Sequence, residues 1–303
     1  MSMKYVVGLM LLCLGVACTG QRWPDPPAID QTQYQKDYQT WLNEAQNTAR
    51  ESSIIVGIWP LEDGETPFGS DASLPIVLPA ALAPSRAGKF HRAGERVTIT
   101  PASGVSILDG RGTPMTAASE VKDEMKLGSL RVLVSPMGDG RMFVSASDDE
   151  HPLLKDFPAV QTYPVEPRWR VAARFDAFDQ PKMTRISDVR GGTMEYPAVG
   201  HLTFRIGDQE QRLVAFGFPD FDQLLVFFKD ATNSSTTYGY RIVHAPKVAK
   251  GEWTVIDFNV AGNPPCAYSA YTTCPLPPAE NRLAVAIEAG EKRFPTGKGF
   301  VQQ

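Results

Sequence analysis

The chain has 303 residues, 43% of them hydrophobic and 21% charged, with a formal net charge of −4. That balance belongs to a globular protein with a real core in one large or two ordinary domains. The basic residues are scattered and form no phosphate-tracking run, which excludes nucleic acid as an expected partner.

Lys4 supplies a positive start, Val6 to Val16 form a short apolar run, and the small residue Ala17 follows. This is the pattern of an export signal over residues 1–17, too short and wrongly flanked to be a spanning helix. Cys18 comes directly after Leu14-Gly15-Val16-Ala17, which resembles the lipobox of bacterial lipoproteins, with Gly15 where that family has Leu. The resemblance implies cleavage before Cys18 and acylation of that residue, hence a lipid-anchored protein of the cell envelope with the membrane as its first partner. Several acyl chains hold a protein durably, whereas one alone is marginal. The alternative is a plain secretion signal with a stray thiol. No later segment reaches transmembrane length.

Residues 18–30 read as a polar tether bearing prolines. Asp30 can then cap a helix in which Tyr34, Tyr38, Trp41, Leu42 and Ala45 share one face. This face is expected to pack on the domain that follows. From Ser52 onward the pattern changes to short strands: Ile54-Ile55-Val56, Ile76-Val77-Leu78, Val97-Thr98-Ile99 and Leu130-Arg131-Val132-Leu133-Val134. Glu62-Asp63-Gly64, Asp109-Gly110 and Gly138-Asp139-Gly140 supply turns between them. Residues 31–150 therefore read as a helix plus a small β-sandwich-like region. Phe68-Gly69-Ser70-Asp71, with Leu108-Asp109-Gly110 and Leu127-Gly128, resembles forkhead-associated sandwiches. Ser70 stands where their phosphate-binding Arg would be, so the resemblance implies the shape and not phosphopeptide binding.

Residues 151–303 read as a second β-rich region. Trp169 to Phe175 alternates apolar and polar residues, and His201 to Ile206, Gly207-Asp208 and Gln211 to Val214 read as a hairpin. The unbroken apolar run Leu224 to Phe228 reads as a strand buried on both faces. Tyr240 to His244, Trp253 to Phe258 and Ala284 to Ile287 complete the expected strands. The fold class is mainly β: an export signal, one helix, a sandwich-like region, and a second β-rich region carrying a rigid loop.

That loop runs from Asp257 to Asn281 and contains Pro264, Pro265, Pro275, Pro277 and Pro278, which restrict its backbone. Apart from Cys13 and Cys18, the chain's cysteines are Cys266 and Cys274. A close cysteine pair in an exported chain is read first as a disulfide, contributing roughly 2–3 kcal/mol by loop closure. Metal or thiol chemistry is the second reading, weakened by wide spacing and by the lack of a nearby ligand set. No metal and no cofactor are expected. The string from Asp257 to Asn281, continued by Ile287-Glu288-Ala289-Gly290-Glu291-Lys292, resembles the bacterial and archaeal family called domain of unknown function 1684. Phe68-Gly69-Ser70-Asp71, Asp230-Ala231-Thr232 and Tyr238-Gly239 add to the likeness, which covers about residues 34–293. The resemblance implies a single unit and no assigned activity.

Beside the loop, Arg241, Asn259, Asn263, Tyr268 and Asn281 are the candidate ligand-binding residues. Arg241 would clamp an anion and the amides would hydrogen-bond in both directions, which suits a small polar ligand. The competing reading is that these groups only tie the loop down. A hydrolase would need a general base, for which His244, Asp257 and Glu280 are candidates. No Gly-x-Ser-x-Gly elbow is present. Three functions follow: an envelope lipoprotein that binds a small polar ligand or partner near residues 257–281, a hydrolase-type enzyme, or a purely structural envelope protein.

Overall fold

Asp30 starts helix α1 (Gln31–Ser53) by accepting the Gln33 N–H at 2.9 Å, which satisfies one of the free amides of the first turn. The computed structural model describes residues 23–136 and 141–295. The export signal, Cys13, Cys18 and the Gly138-Asp139-Gly140 turn lie outside the described residues.

The expected aromatic face of α1 forms, but it packs on the second β-rich region and not on the sandwich that follows it in sequence. The Tyr34 hydroxyl donates to Asp257 at 2.9 Å, and the Tyr38 hydroxyl meets that of Thr162 at 2.9 Å. Leu42, Ala45 and Ala49 pack with Val160, Ala267, Tyr268 and Phe294. The end of the helix reaches the sandwich, where Asp148 N–H donates to Ile54 C=O and Arg131 pairs with Glu51. Periodicity reports that a face is buried, not which surface buries it.

The first region contains β1 (Ile55–Leu61), β2 (Gly64–Gly69), β3 (Ile76–Val77), β4 (Gly88–Ala93) and β5 (Arg96–Pro101). It continues with β6 (Leu108–Asp109), β7 (Ser119–Glu120), β8 (Met125–Leu127), β9 (Leu130–Pro136) and β10 (Met142–Asp148). These strands make two five-stranded sheets, in the orders β1-β10-β9-β8-β6 and β3-β2-β4-β5-β7. Inward residues of both, including Phe68, Phe90, Ile99, Leu130, Val132 and Val144, form one apolar core. This is the expected sandwich, with period-2 alternation placing one side chain in two on the inner face.

The second region contains β11 (Arg170–Ser187), β12 (Thr193–Ile206), β13 (Gln209–Phe216), β14 (Gln223–Phe228), β15 (Arg241–Pro246) and β16 (Trp253–Asp257). They form one sheet in the order β15-β14-β13-β12-β11-β16. The sheet curls into a nearly closed barrel, where the Thr254 hydroxyl donates to Pro246 C=O at 2.8 Å across the gap between β16 and β15. The barrel interior holds Phe175, Leu202, Phe204, Leu213, Val226, Phe228 and Val243. On the outer face, Val214, Phe216, Phe227 and Tyr240 are covered by the cysteine loop, with Cys274 and Leu276 in the same cluster. The run Leu224 to Phe228 is continuously apolar because β14 is covered on both faces.

The strand expected over Ala284 to Ile287 does not form. That segment plugs the barrel, with Leu283, Ile287 and Ala289 in its core. Its backbone is satisfied piecemeal: Leu283 N–H donates to Lys229 C=O at 2.8 Å and Ile287 N–H to Asp230 Oδ1 at 3.2 Å. A short apolar run can fill a core without a ladder wherever single partners meet its polar groups.

Ahead of α1, Trp23 packs edge-on against Trp253 with ring centroids 5.2 Å apart, and the Arg205 guanidinium lies 5.1 Å from its ring. Arg170 donates to Pro27 C=O at 2.6 Å. The last part of the tether is thus held on the barrel.

Candidate functional site

Arg241 opens β15 fully buried, which is tolerable only if its charge is paired. Its Nη2 meets Asp230 Oδ2 at 2.7 Å and Ile287 C=O at 2.9 Å, and its Nη1 donates to Ala289 C=O. Asp230 Oδ1 in turn accepts from the Thr232 hydroxyl at 2.6 Å and the Thr232 N–H at 2.8 Å. The Thr232 and Thr237 hydroxyls meet at 2.8 Å, and Asn233 Nδ2 donates to Tyr238 C=O at 2.7 Å. This network fixes the turn over residues 230–239, in which Ser234 is held at φ 66°, a left-handed conformation unusual for a residue with a Cβ.

The fixed turn is one side of a cleft of about 370 Å³, to which it contributes Ser234, Thr237, Tyr238 and Gly239. The opposite side is the cysteine loop, with Cys266, Ser269, Ala270 and Thr272, while Val189 and Arg293 complete the lining. The loop is tied to the end of β11, where Leu276 N–H donates to Ser187 C=O at 2.7 Å and Val189 N–H to Cys274 C=O at 3.1 Å. Apart from the guanidinium of Arg293, the cleft's polar side chains are hydroxyls and one thiol.

Cys266 is half-buried and Cys274 is 5% exposed, and both are free thiols in this structure. The two residues adjoin, with Cys266 N–H donating to Cys274 Sγ at 3.3 Å. Tyr238 Oη lies 3.7 Å and Tyr240 Oη 3.6 Å from Cys266 Sγ. A hydrogen bond from the Cys274 thiol, with help from both tyrosines and against the cost of burial, lowers the Cys266 pKa to about 7. The same bond, together with burial, pushes the Cys274 thiol up, so Cys274 keeps its proton. Burial first, and then the sulfur, raise both tyrosine hydroxyls, which stay protonated donors.

The fold engages the residues singled out from sequence elsewhere. Arg241 is the buried strut beneath the 230–239 turn. Asn281 is fully buried and bridges two strands, accepting from Val214 N–H at 2.7 Å and donating to Val214 and Phe227 C=O at 3.0 and 2.8 Å. Asn259 exchanges hydrogen bonds with the Glu166 backbone. Asn263 donates to Lys292 C=O at 2.9 Å, and its N–H donates to the buried carboxylate of Glu291 at 2.8 Å. Tyr268 donates to that same carboxylate. Asn263 and Tyr268 are thus brought together on Glu291, and Asp257 joins Asn259 at 2.9 Å as well as Tyr34.

The three base candidates are not brought together. Glu280 lies 3.6 Å from His201, Asp257 binds Tyr34 and Asn259, and His244 stands exposed on β15 opposite Leu225. None of the three lines the cleft. No group of three or more His, Cys, Asp and Glu side chains able to hold a metal occurs among the described residues. Sequence reasoning missed Ser234, Thr237, Tyr240, Ser269, Thr272 and Arg293. Its one usable signal was Asp230-Ala231-Thr232 with Tyr238-Gly239, noted as a likeness and not as a site.

Residues 155–292 match the model of a family described as "Protein of unknown function (DUF1684)". An uncharacterized protein of Haloarcula marismortui, known from a solution NMR structure, is 30% identical. That similarity covers 46% of this chain and 78% of the other, with a TM-score of 0.40. No curated protein matches the chain.

Proposed function

This chain belongs to the DUF1684 family of unknown function, and from that premise we propose that it is a cell-envelope lipoprotein holding a small polar, anionic ligand in the cleft between residues 234–239 and 266–272. The observation that carries the reading is the cleft itself, a concave space framed by a buried charge network on one side and a proline-stiffened loop on the other. Rigid walls lower the entropy cost of binding. Arg293 supplies positive charge at the rim, and the hydroxyls of Ser234, Ser269 and Thr272 can each donate or accept. A purely structural protein would not need the open space.

The lipid anchor is carried by the lipobox-like sequence at Cys18. Trp23 is clasped to Trp253 and Arg205, so an acyl group on Cys18 would tether the barrel closely, since five residues span at most about 18 Å. The cysteines, already adjacent, would close to a disulfide in an oxidising compartment without moving the loop far. A hydrolase with His244, Asp257 or Glu280 as base has no observation in its favour.

The test is a thermal-shift screen of small mono- and dicarboxylates on the exported protein and on Arg293→Gln. A ligand present at about 100 times its Kd stabilises by about 2.7 kcal/mol, and Arg293→Gln should lose most of that shift. If no small acid raises the melting temperature, or if Arg293→Gln responds as the wild type does, the ligand reading is wrong. In the same preparations, Cys18→Ser should move the protein from the membrane fraction to the soluble one.

A further inference from the structure

We propose that Cys266 and Cys274 act as an exchanging dithiol, with Cys266 attacking small carboxylate-bearing disulfides from the cleft and Cys274 resolving the product from behind it. The proposal rests on the reading of the cleft as a ligand site and assigns that site a substrate class. Three observations carry it. The two sulfurs differ in access, because Cys266 lines the cleft while Cys274 is 5% exposed. They adjoin, with the Cys266 N–H on Cys274 Sγ at 3.3 Å. And Cys266 Sγ has two tyrosine hydroxyls within 3.7 Å, an arrangement that a structural disulfide does not need.

The chemistry balances with the disulfide as oxidant. The Cys266 thiolate attacks one sulfur of R–S–S–R; a Cys266–S bond forms, the S–S bond breaks, and RS⁻ leaves with the electron pair and takes a proton from water. Cys274 then gives up its proton and attacks Cys266 Sγ. The internal disulfide forms and the second RS⁻ leaves and is protonated. The protein loses two electrons, R–S–S–R becomes two R–SH, and a partner dithiol that takes up the internal disulfide by the same exchange returns the reduced pair. The lowered pKa of Cys266 favours its thiolate. Weaker intrinsic nucleophilicity offsets part of this gain. Selectivity must therefore come from the cleft. Arg293 is the charge there that would favour an anion, although the chain as a whole carries −4.

The experiment uses the exported full-length protein, reduced and then treated with dithiobis(nitrobenzoate), with each modified cysteine located by peptide mass mapping. Wild type should release both nitrothiobenzoate halves and end with a Cys266–Cys274 bond. Cys274→Ser should stop at a mixed disulfide on Cys266, and Cys274→Ala, which leaves no buried hydroxyl to satisfy, should stop at the same point. Cys266→Ser should slow modification of the buried Cys274 by ~tenfold or more. The anionic probe should outpace cystamine, a cationic disulfide, by about tenfold at low salt, and Arg293→Gln should abolish that preference. Retention of the probe on wild-type Cys266, lack of reaction at Cys266 in both Cys274 variants, or a native pair that small thiols cannot reduce would each overturn the proposal. Nitrobenzoate without sulfur, tested by thermal shift, separates the two readings. If it binds while exchange fails, the ligand site stands and the dithiol falls; if neither occurs, both fall.

Discussion

The two β-regions bury different kinds of residue. The sandwich over residues 55–148 has an almost wholly apolar interior, with Phe68 and Phe90 stacked at 4.6 Å and Ile99, Leu130 and Val144 around them. The region from β11 onward buries Arg241, Asp230, Glu291, Asn259, Asn263 and Asn281 as well as its hydrophobic core. Buried ions and amides are poor means of adding stability, because desolvation offsets most of what their pairing gains. They are good means of fixing irregular backbone, since each demands a specific partner. Loops are what the second region must fix: the 230–239 turn, the cysteine loop and the plug over residues 283–289 all hang on these side chains. The sandwich leans on this less: its strands satisfy one another, although Asp148, 5% exposed, accepts the Glu150 N–H at 3.1 Å. The contrast places the fixed irregular backbone, and with it the cleft, in the second region.

The sharpest way to break that contrast is at Arg241. Arg241→Met leaves the Asp230 carboxylate buried without its cation, and should cost about 3–5 kcal/mol in chemical denaturation. Replacing both partners, Arg241→Met with Asp230→Leu, should cost less than Arg241→Met alone, because no orphan charge remains. Arg131→Met, which removes the ion pairs with Glu51 and Asp149 on the sandwich surface, should cost only about 0–1 kcal/mol. Equal losses at the two arginines would remove the distinction between the regions.

A smaller effect sharpens the comparison from the other side. Ile99 is 1% exposed in the sandwich core. Ile99→Val should cost about 0.5–1.5 kcal/mol and leave the rate of Cys266 modification unchanged, because among the described residues no hydrogen bond runs from β5 to either side of the cleft. A change in thiol reactivity would show that the two regions are coupled.

The sequence exposed what depends on local pattern. Alternation located most of the strands, Asp30 and the aromatic face located α1, and the proline–cysteine string located the loop beside which the cleft lies. What it hid depends on distant partners. The face of Tyr34, Tyr38 and Trp41 reads as buried, but only the fold says that residues 157–162 and 257–268 cover it. Ala284 to Ile287 has strand composition, yet the barrel offers it a core to fill and no edge to join. Arg241 and Asn281 look like ligand binders because their donors suit a ligand, and those same donors suit carbonyls brought in from 48 and 67 residues away. Ser234, Thr237, Ser269 and Thr272 are ordinary loop residues whose convergence no spacing announces.

The smallest expected effect concerns Glu291, which is 1% exposed beneath Tyr268. Burial raises its pKa above the ordinary carboxylate value, against the opposing pull of the Asn263 N–H, the Tyr268 hydroxyl and the charge of Arg241. The folded state therefore holds this proton more tightly than the unfolded chain does. Its contribution to stability is complete below the ordinary glutamate value of about 4.3 and is lost as pH rises through the higher folded value. Glu291→Gln keeps the size of the side chain and can still accept from Tyr268 and Asn263 through its amide oxygen, but it has no proton to lose. Denaturation midpoints of the two proteins should therefore run close together near pH ~4 and diverge in favour of Glu291→Gln as pH rises toward neutrality. A difference that stays constant over that range would mean that Glu291 ionises without penalty. The second region would then hold its buried carboxylate as easily as the sandwich holds a surface one, and the cost ascribed here to fixing its loops would have to lie elsewhere.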